Sequence, residues 1–286
     1  MILQKEIRQV AQTEGVPPTT IDKDWVLGHV LYSLYKHQSL ASVLIFKGGT
    51  CLRKCYFGNY RFSEDLDFTI QDISIINKEL IEELVKSVAE LSGILLHIEQ
   101  ITDMLFENKQ VGIKIILKFW GADHPKSQNI PEPQRWHTYI KLEIMCHELL
   151  CFPVIKKQLI HNYSDASLLV CEIPSYAIEE VITEKLRAIL QRKYTAPRDY
   201  YDLWYILTIY KPKIDWTHIS AAFKTKTAYK GIECDNTELF FTEKNIKTLH
   251  SHWKASLGHH LADNALPNVE QVISELKVIL APNLQL

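Results

Sequence analysis

The sequence predicts an α/β (α+β) fold, a sheet-containing core followed by a mainly helical region, and three observations predict it. Residues 43–70 hold two apolar runs, one ending at Phe46 and one built around Asp65-Leu66-Asp67, joined through Lys47-Gly48-Gly49-Thr50 and a segment with helical spacing. Residues 111–120 and 139–145 alternate apolar and polar side chains, the pattern of half-buried strands. From residue 174 onward the apolar positions recur every three or four residues instead.

At 286 residues and 47% hydrophobic, the chain can bury a substantial core and suits one large or two modest domains, the latter expected at 1–173 and 174–286. No apolar run approaches the roughly 18 residues of a membrane helix. The start, MILQKEIRQVAQTEG, lacks the apolar block of a signal peptide, so a cytoplasmic protein with no membrane partner is expected. Six cysteines without Cys-x-x-Cys spacing mark neither a disulfide framework nor a zinc site, and Cys51 and Cys55 read as packing thiols. The net charge of −2 excludes a uniformly basic nucleic-acid binder and leaves room for a basic patch.

Taken in order, residues 1–42 read as two helices. Leu3, Ile7 and Val10 carry the first, and a cap at Thr20 with Asp22 and Asp24 in the first turn opens the second, from Trp25 to His37. After the Asp65–Asp67 stretch, residues 74–91 place Leu80, Leu84, Val88 and Leu91 on one face and stop at Gly93, a helix with its C-cap. Strands are expected at 94–101 and 111–120, then a long loop marked by Pro125, Pro131 and Pro133. The run Tyr139 to Met145 puts Ile140, Leu142 and Ile144 on one face and Lys141 and Glu143 on the other. Glu143 therefore reads either as a third carboxylate beside Asp65 and Asp67 or as part of a surface Lys/Glu strand face.

Beyond Pro174, Ser175 is expected to cap a helix whose apolar face is Ile178, Val181, Ile182, Leu186, Ile189 and Leu190. Lys185 lies within that face, where an unpaired ammonium is costly, so it must snorkel outward or meet an anion. The next helix starts near Pro197 with Leu203, Ile206, Leu207 and Tyr210 as its stripe, and Asp199 and Asp202 lean toward the packed side. A buried ion pair between Lys185 and Asp202 is one reading; a charged cleft is the other. From Lys185 to Lys230 there are ten Lys or Arg against three acids, with Tyr and Trp interleaved, the composition of a surface that could follow a phosphodiester backbone.

The chemistry concentrates at residues 47–67. Two glycines after a strand let the chain turn tightly and bring main-chain N–H groups close to a ligand, and Thr50 adds a hydroxyl at the next helix, which describes a phosphate cradle. Asp65 and Asp67 share one face of a strand. Two carboxylates about 6 to 7 Å apart repel by roughly 2 kcal/mol at an effective dielectric near 20, unless a cation sits between them. Hard oxygen donors of this kind suit Mg²⁺, which also holds a nucleotide's phosphates; the other reading of these residues alone is a plain glycine turn beside an exposed strand end with two solvated acids.

Together the Gly-Gly-Thr turn and the Asp-x-Asp strand resemble the nucleotidyltransferase superfamily of polymerase-β type. Lys47-Gly48-Gly49-Thr50 followed by Arg61-x-Ser63-x-Asp65-x-Asp67 resembles, more narrowly, the abortive-infection toxin family of AbiEii type, to which the mycobacterial MenT toxins belong. Glu184-Lys185-Leu186 and Arg198-Asp199-Tyr200-Tyr201-Asp202-Leu203 resemble that family's later motifs, so the likeness runs from about residue 20 to 210.

The resemblance implies a nucleotidyltransferase-like mixed sheet flanked by helices, a mainly helical C-terminal domain, and Mg²⁺ (or Mn²⁺) as cofactor. It implies Lys47, Gly48, Gly49, Thr50, Arg61, Ser63 and Lys185 around the NTP, with Asp65, Asp67 and Glu143 on the metal. Ser63, Lys185, Asp199 and Asp202 would join Asp65 and Asp67 in catalysis. The implied reaction transfers a nucleotide from CTP or another pyrimidine NTP to the 3′ end of tRNA with loss of pyrophosphate, blocking translation in phage defence until a cognate antitoxin protein intervenes. Two alternatives stay open: transfer to a protein side chain, and a non-catalytic NTP-binding regulator. The intact carboxylate pair argues against the regulator, which gains nothing from clustered like charges.

Overall fold

Pro18 opens the helix around which the core is built. The computed structural model describes residues 2–124 and 129–286, and its first two helices are Gln4–Glu14 (α1) and Pro18–Lys36 (α2). The second begins ahead of the expected cap at Thr20, because proline at the first helical position gives up an N–H that has no partner there. Asp22 and Asp24, expected in the first turn, are 1% and 2% exposed. Asp24 instead receives Arg53 Nε at 2.9 Å, Lys54 Nζ at 2.7 Å and the Tyr163 hydroxyl at 2.8 Å. Burial pushes its carboxyl up, but Lys54 and Arg53 outweigh this and hold it well below the usual carboxylate range.

Ile45–Lys47 (β1) runs into Gly48–Cys51 (α3), which continues as one π-helical turn over Leu52–Tyr56, and Asp65–Thr69 forms β2. Lys78–Ser92 (α4) starts later than expected, where the Asn77 side chain accepts from Leu80 N, and ends on Gly93 at φ 73°. Leu95–Phe106 (β3) and Lys109–Trp120 (β4) make a hairpin longer than its sequence signal. Its two turn residues, Glu107 and Asn108, both have positive φ, and a turn of this type without glycine is hard to read. Within the expected loop 121–138, residues 125–128 lie outside the described residues, and Pro133–Arg135 is a single 3-10 turn.

Tyr139–Met145 (β5), Ile155–Gln158 (β6) and Glu172–Ser175 (β7) complete a seven-stranded mixed sheet in the order β3-β4-β5-β2-β1-β7-β6. The carboxylate strand β2 is central, parallel to β5 on one side and antiparallel to β1 on the other. Leu66, Phe68, Ile140, Leu142 and Ile144 are at most 1% exposed, so the opposite face of β2 and β5 is committed to the core. The cysteines are free thiols, and Cys51 and Cys55 are buried packing residues.

The chain folds as two compact units, Met1–Glu148 with Val154–Ser175, and Leu149–Pro153 with Tyr176–Leu286. The second is helical: Ile178–Gln191 (α5), Pro197–Trp204 (α6) continuing as a π-helix over Tyr205–Tyr210, Trp216–Tyr229 (α7), Glu243–Leu257 (α8) and Val269–Asn283 (α9). Ser175 does not cap α5, contrary to expectation. It is the last residue of β7 and donates to the Ile173 carbonyl.

Candidate active site

Sheet register gathers the acids. Asp67 lies opposite Lys47 of β1 and opposite Glu143 of β5, and Glu143 in turn faces Lys114 of β4. One row across the sheet thus reads Lys47, Asp67, Glu143, Lys114. Asp65, two residues back on the same face, is opposite Lys141, whose ammonium stands 3.7 Å away. Both partners are about a third exposed, so that pair is worth little in itself.

The turn fits around this row. Gly48 sits at φ +81°, and a Cβ there would come within 2.2 Å of Asp67 Oδ2, so only glycine lets the carboxylate lie against the turn. A Cβ on Gly49 would meet Arg61 Nη2 at 2.6 Å and Ser63 Oγ at 3.1 Å. Arg61 is 3% exposed and donates to the Phe62 carbonyl at 3.1 Å, so its guanidinium packs against the turn. Thr50, fully buried, donates its hydroxyl proton to the Asp65 carbonyl, which ties the start of α3 to the carboxylate strand instead of presenting that proton to a ligand.

Glu148 carries no signal in the sequence. Its carboxylate accepts from Lys47 Nζ and from the Thr69 hydroxyl, two residues beyond Asp67 on the same face of β2. His147, just before it, takes the left-handed region at φ 60°, which swings the chain back toward β1 and β2 after β5 ends. No spacing rule reports such a return.

These side chains offer hard oxygen donors on one face, with the glycine turn leaving Asp67 Oδ2 uncovered by a Cβ, and they fit a divalent cation of the Mg²⁺ class. Asp65, Asp67 and Glu143 do not close to the separation of a finished three-ligand site. Among the described residues only His29, His161 and Asp165 bring three ligand atoms within 4.8 Å of one another.

In the helical unit, Lys185 of α5 reaches Asp199 Oδ1 at 2.6 Å and Asp202 Oδ2 at 2.8 Å on α6. Asp199 and Asp202 are 3% and 0% exposed, so the structure contains the buried ion pair, extended to both acids. Arg192 adds a contact to the other Asp199 oxygen at 3.3 Å. The expected basic surface is smaller than its residue count. Lys226 is 2% exposed and donates to Glu180, Glu184 and the Leu149 carbonyl, and Arg187 is paired with Glu184. Lys226 therefore cannot dock a nucleic acid, whereas Lys224 and Lys230 remain exposed. Tyr200, Tyr201 and Trp204 belong to the core of this unit.

The Gly48 geometry gives a direct prediction. Gly48→Ala forces alanine into the left-handed region, at a cost of about 1 kcal/mol or more, and drives its Cβ into the Asp67 carboxylate. A displacement of about 1 Å at reacting groups costs on the order of 10²-fold, so any turnover should fall by at least that much while the melting temperature falls only by a few degrees. A wild-type rate in this variant would show that the turn does not position Asp67.

The chain matches the family described as "Nucleotidyl transferase AbiEii toxin, Type IV TA system" over residues 29–275. No curated protein matches it. Among solved structures, the nucleotidyltransferase toxin MenT4 of Mycobacterium tuberculosis shares the fold with a TM-score of 0.64 and 20% identity, over 96% of this chain and 88% of that one.

Proposed function

Since the chain belongs to the AbiEii family of nucleotidyltransferase toxins of type IV toxin–antitoxin systems, we propose that it transfers a nucleotide from CTP or another pyrimidine NTP to the 3′ end of tRNA, and that a cognate antitoxin relieves the resulting block in translation. The observation that carries the chemistry is the Asp65–Asp67 face of β2 against the Gly48-Gly49 turn, with Lys47 and Glu143 in register on either side. The backbone of Gly48 and Gly49 and the ammonium of Lys47 receive the triphosphate. Ser63 Oγ, held beside Gly49, hydrogen-bonds a phosphate oxygen or orients the turn, and Arg61 keeps the turn in place.

Asp65 and Asp67 hold Mg²⁺ or Mn²⁺, with Glu143 as the third acid of the row. When bound, the cation neutralises charge on the phosphates and lowers the pKa of an attacking hydroxyl. Thr50 fixes the spacing between turn and carboxylates through the Asp65 carbonyl. Lys185 takes its role in neutralising charge on the NTP, and Asp199 or Asp202 its role in orienting the NTP or the acceptor, from the motifs they match, independently of the geometry around β2.

The test is incubation with each labelled NTP, Mg²⁺ and purified tRNA across a salt series. Label at the tRNA 3′ end is expected from a pyrimidine NTP, together with pyrophosphate. Lys224→Gln with Lys230→Gln should weaken tRNA binding on every sequence and flatten the dependence of log K on log salt by roughly 0.7 to 0.9 for each phosphate no longer neutralised, with NTP affinity unchanged. Label in protein would move the acceptor to a side chain. No transfer from any NTP would leave the regulator.

A further inference from the structure

Outside the acidic row, the first unit carries a second cluster with ligand chemistry. His29 projects from α2, while His161 and Asp165 lie in the connection between β6 and β7, where the only regular element is the 3-10 turn Ala166–Leu168. His29 Nε2 stands 3.0 Å from Asp165 Oδ2, and His161 Nε2 stands 3.1 Å from Asp165 Oδ1. The two histidine side chains are each 1% exposed and the aspartate 10%, and the three ligand atoms lie within 4.8 Å of one another.

We propose that His29, His161 and Asp165 form a binding site for a borderline divalent transition metal of the Zn²⁺ class, distinct from the carboxylates of β2, which staples the 159–171 connection to α2. Donor chemistry selects the metal. Two imidazoles and one carboxylate favour Zn²⁺ or Co²⁺, whereas Mg²⁺ prefers all-oxygen sites. His29 faces Oδ2 and His161 faces Oδ1, so the carboxylate would ligate through both oxygens, each 3.0 or 3.1 Å from one imidazole nitrogen.

The surroundings agree. Trp25 Nε1 donates to Asp165 Oδ2 at 2.9 Å, the outer hydrogen bond that orients a ligating carboxylate. The Nδ1 atoms of His29 and His161 are buried without a hydrogen-bond partner, so Nε2 ligation would leave each Nδ1–H to be met by water entering with the metal. A Cβ on Gly28 would come within 2.2 Å of His161 Nδ1, so the ring is seated directly against α2 and cannot be displaced by small rearrangements.

The experiment uses the untagged full chain, alone and with Asp65→Asn plus Asp67→Asn to silence the acidic row, probed with Zn²⁺ and Co²⁺ themselves. Both forms should retain one equivalent of Zn²⁺ through dialysis, show visible d–d absorption with Co²⁺, and melt roughly 5 to 10 °C higher at a hundredfold excess over Kd. His161→Gln and Asp165→Asn should lose the bound equivalent. Absence of a retained equivalent, of Co²⁺ absorption and of a melting shift in the unmodified chain would overturn the proposal and leave an aspartate accepting three N–H bonds. So would an equivalent that survives His161→Gln. Neither result bears on the nucleotidyl transfer proposed above.

Discussion

Asp65→Asn or Asp67→Asn is expected to reduce nucleotidyl transfer by about 10³-fold or more while the protein stays folded and melts within about 2 °C of the unmodified chain. Each variant keeps the shape of the side chain and removes one negative charge from a face where Asp65, Asp67, Glu143 and Glu148 gather. In the resting protein that removal relieves repulsion, and the ion pair it breaks at Asp65 is the partly solvated one with Lys141 at 3.7 Å, so stability holds. In the proposed reaction the same carboxylate would fix the cation, a contribution of several kcal/mol, and every 1.36 kcal/mol is a factor of ten in rate. Single-turnover transfer and a thermal melt on the same preparation check both halves. Normal turnover in either variant would remove the metal assignment, whereas a collapse in melting temperature would mean that the acids are structural.

Lys185→Met is expected to have the largest effect on stability. Its ammonium lies 2.6 and 2.8 Å from two carboxylates on α6 that are themselves buried, and Arg192 reaches Asp199 at 3.3 Å. Methionine replaces the stem and takes away the ammonium that fully buried Asp202 faces. Breaking a buried pair by removing one partner costs about 3 to 5 kcal/mol, which lowers the melting temperature by roughly 10 °C. The double variant Lys185→Met with Asp202→Asn should recover more than half of that deficit, because the stranded charge is gone. Transfer measured in the restored variant, well below its melting temperature, then reads any direct part that Lys185 takes in catalysis. An unchanged melting temperature in the single variant would show that the ion pair contributes no stability and that the lysine is kept for chemistry alone.

How far the sequence reached depended on the kind of signal. The alternation of Asp65-Leu66-Asp67-Phe68 and of Tyr139 to Met145 assigned each side chain to a face, because a strand allows only two directions and the apolar set must go inward. Helical spacing likewise placed Lys185, Asp199 and Asp202 toward a packed side, where the structure has them. Boundaries failed where local chemistry overrode periodicity: proline at the start of α2, Asn77 as the cap of α4, and a two-residue turn without glycine between β3 and β4.

Residue types and their spacing were therefore enough to fix the fold class and which face of β2 carries the acids, since these follow from the short range over which a chain's own geometry acts, while the family came from the resemblance of its motifs. Pairings between distant segments were decided only by tertiary structure. Residues 24 and 53, 47 and 148, 149 and 226, and 29 and 165 meet because the sheet order and helix packing bring them together, and each buried charge then has to find its counter-charge or hydrogen bond there. That requirement turned Lys226 from an expected surface charge into a buried partner, set Asp24 on Arg53 and Lys54, and placed Glu148 on Lys47. Sequence spacing cannot report it, because the cost of an unpaired charge arises only once the surrounding chain has excluded water.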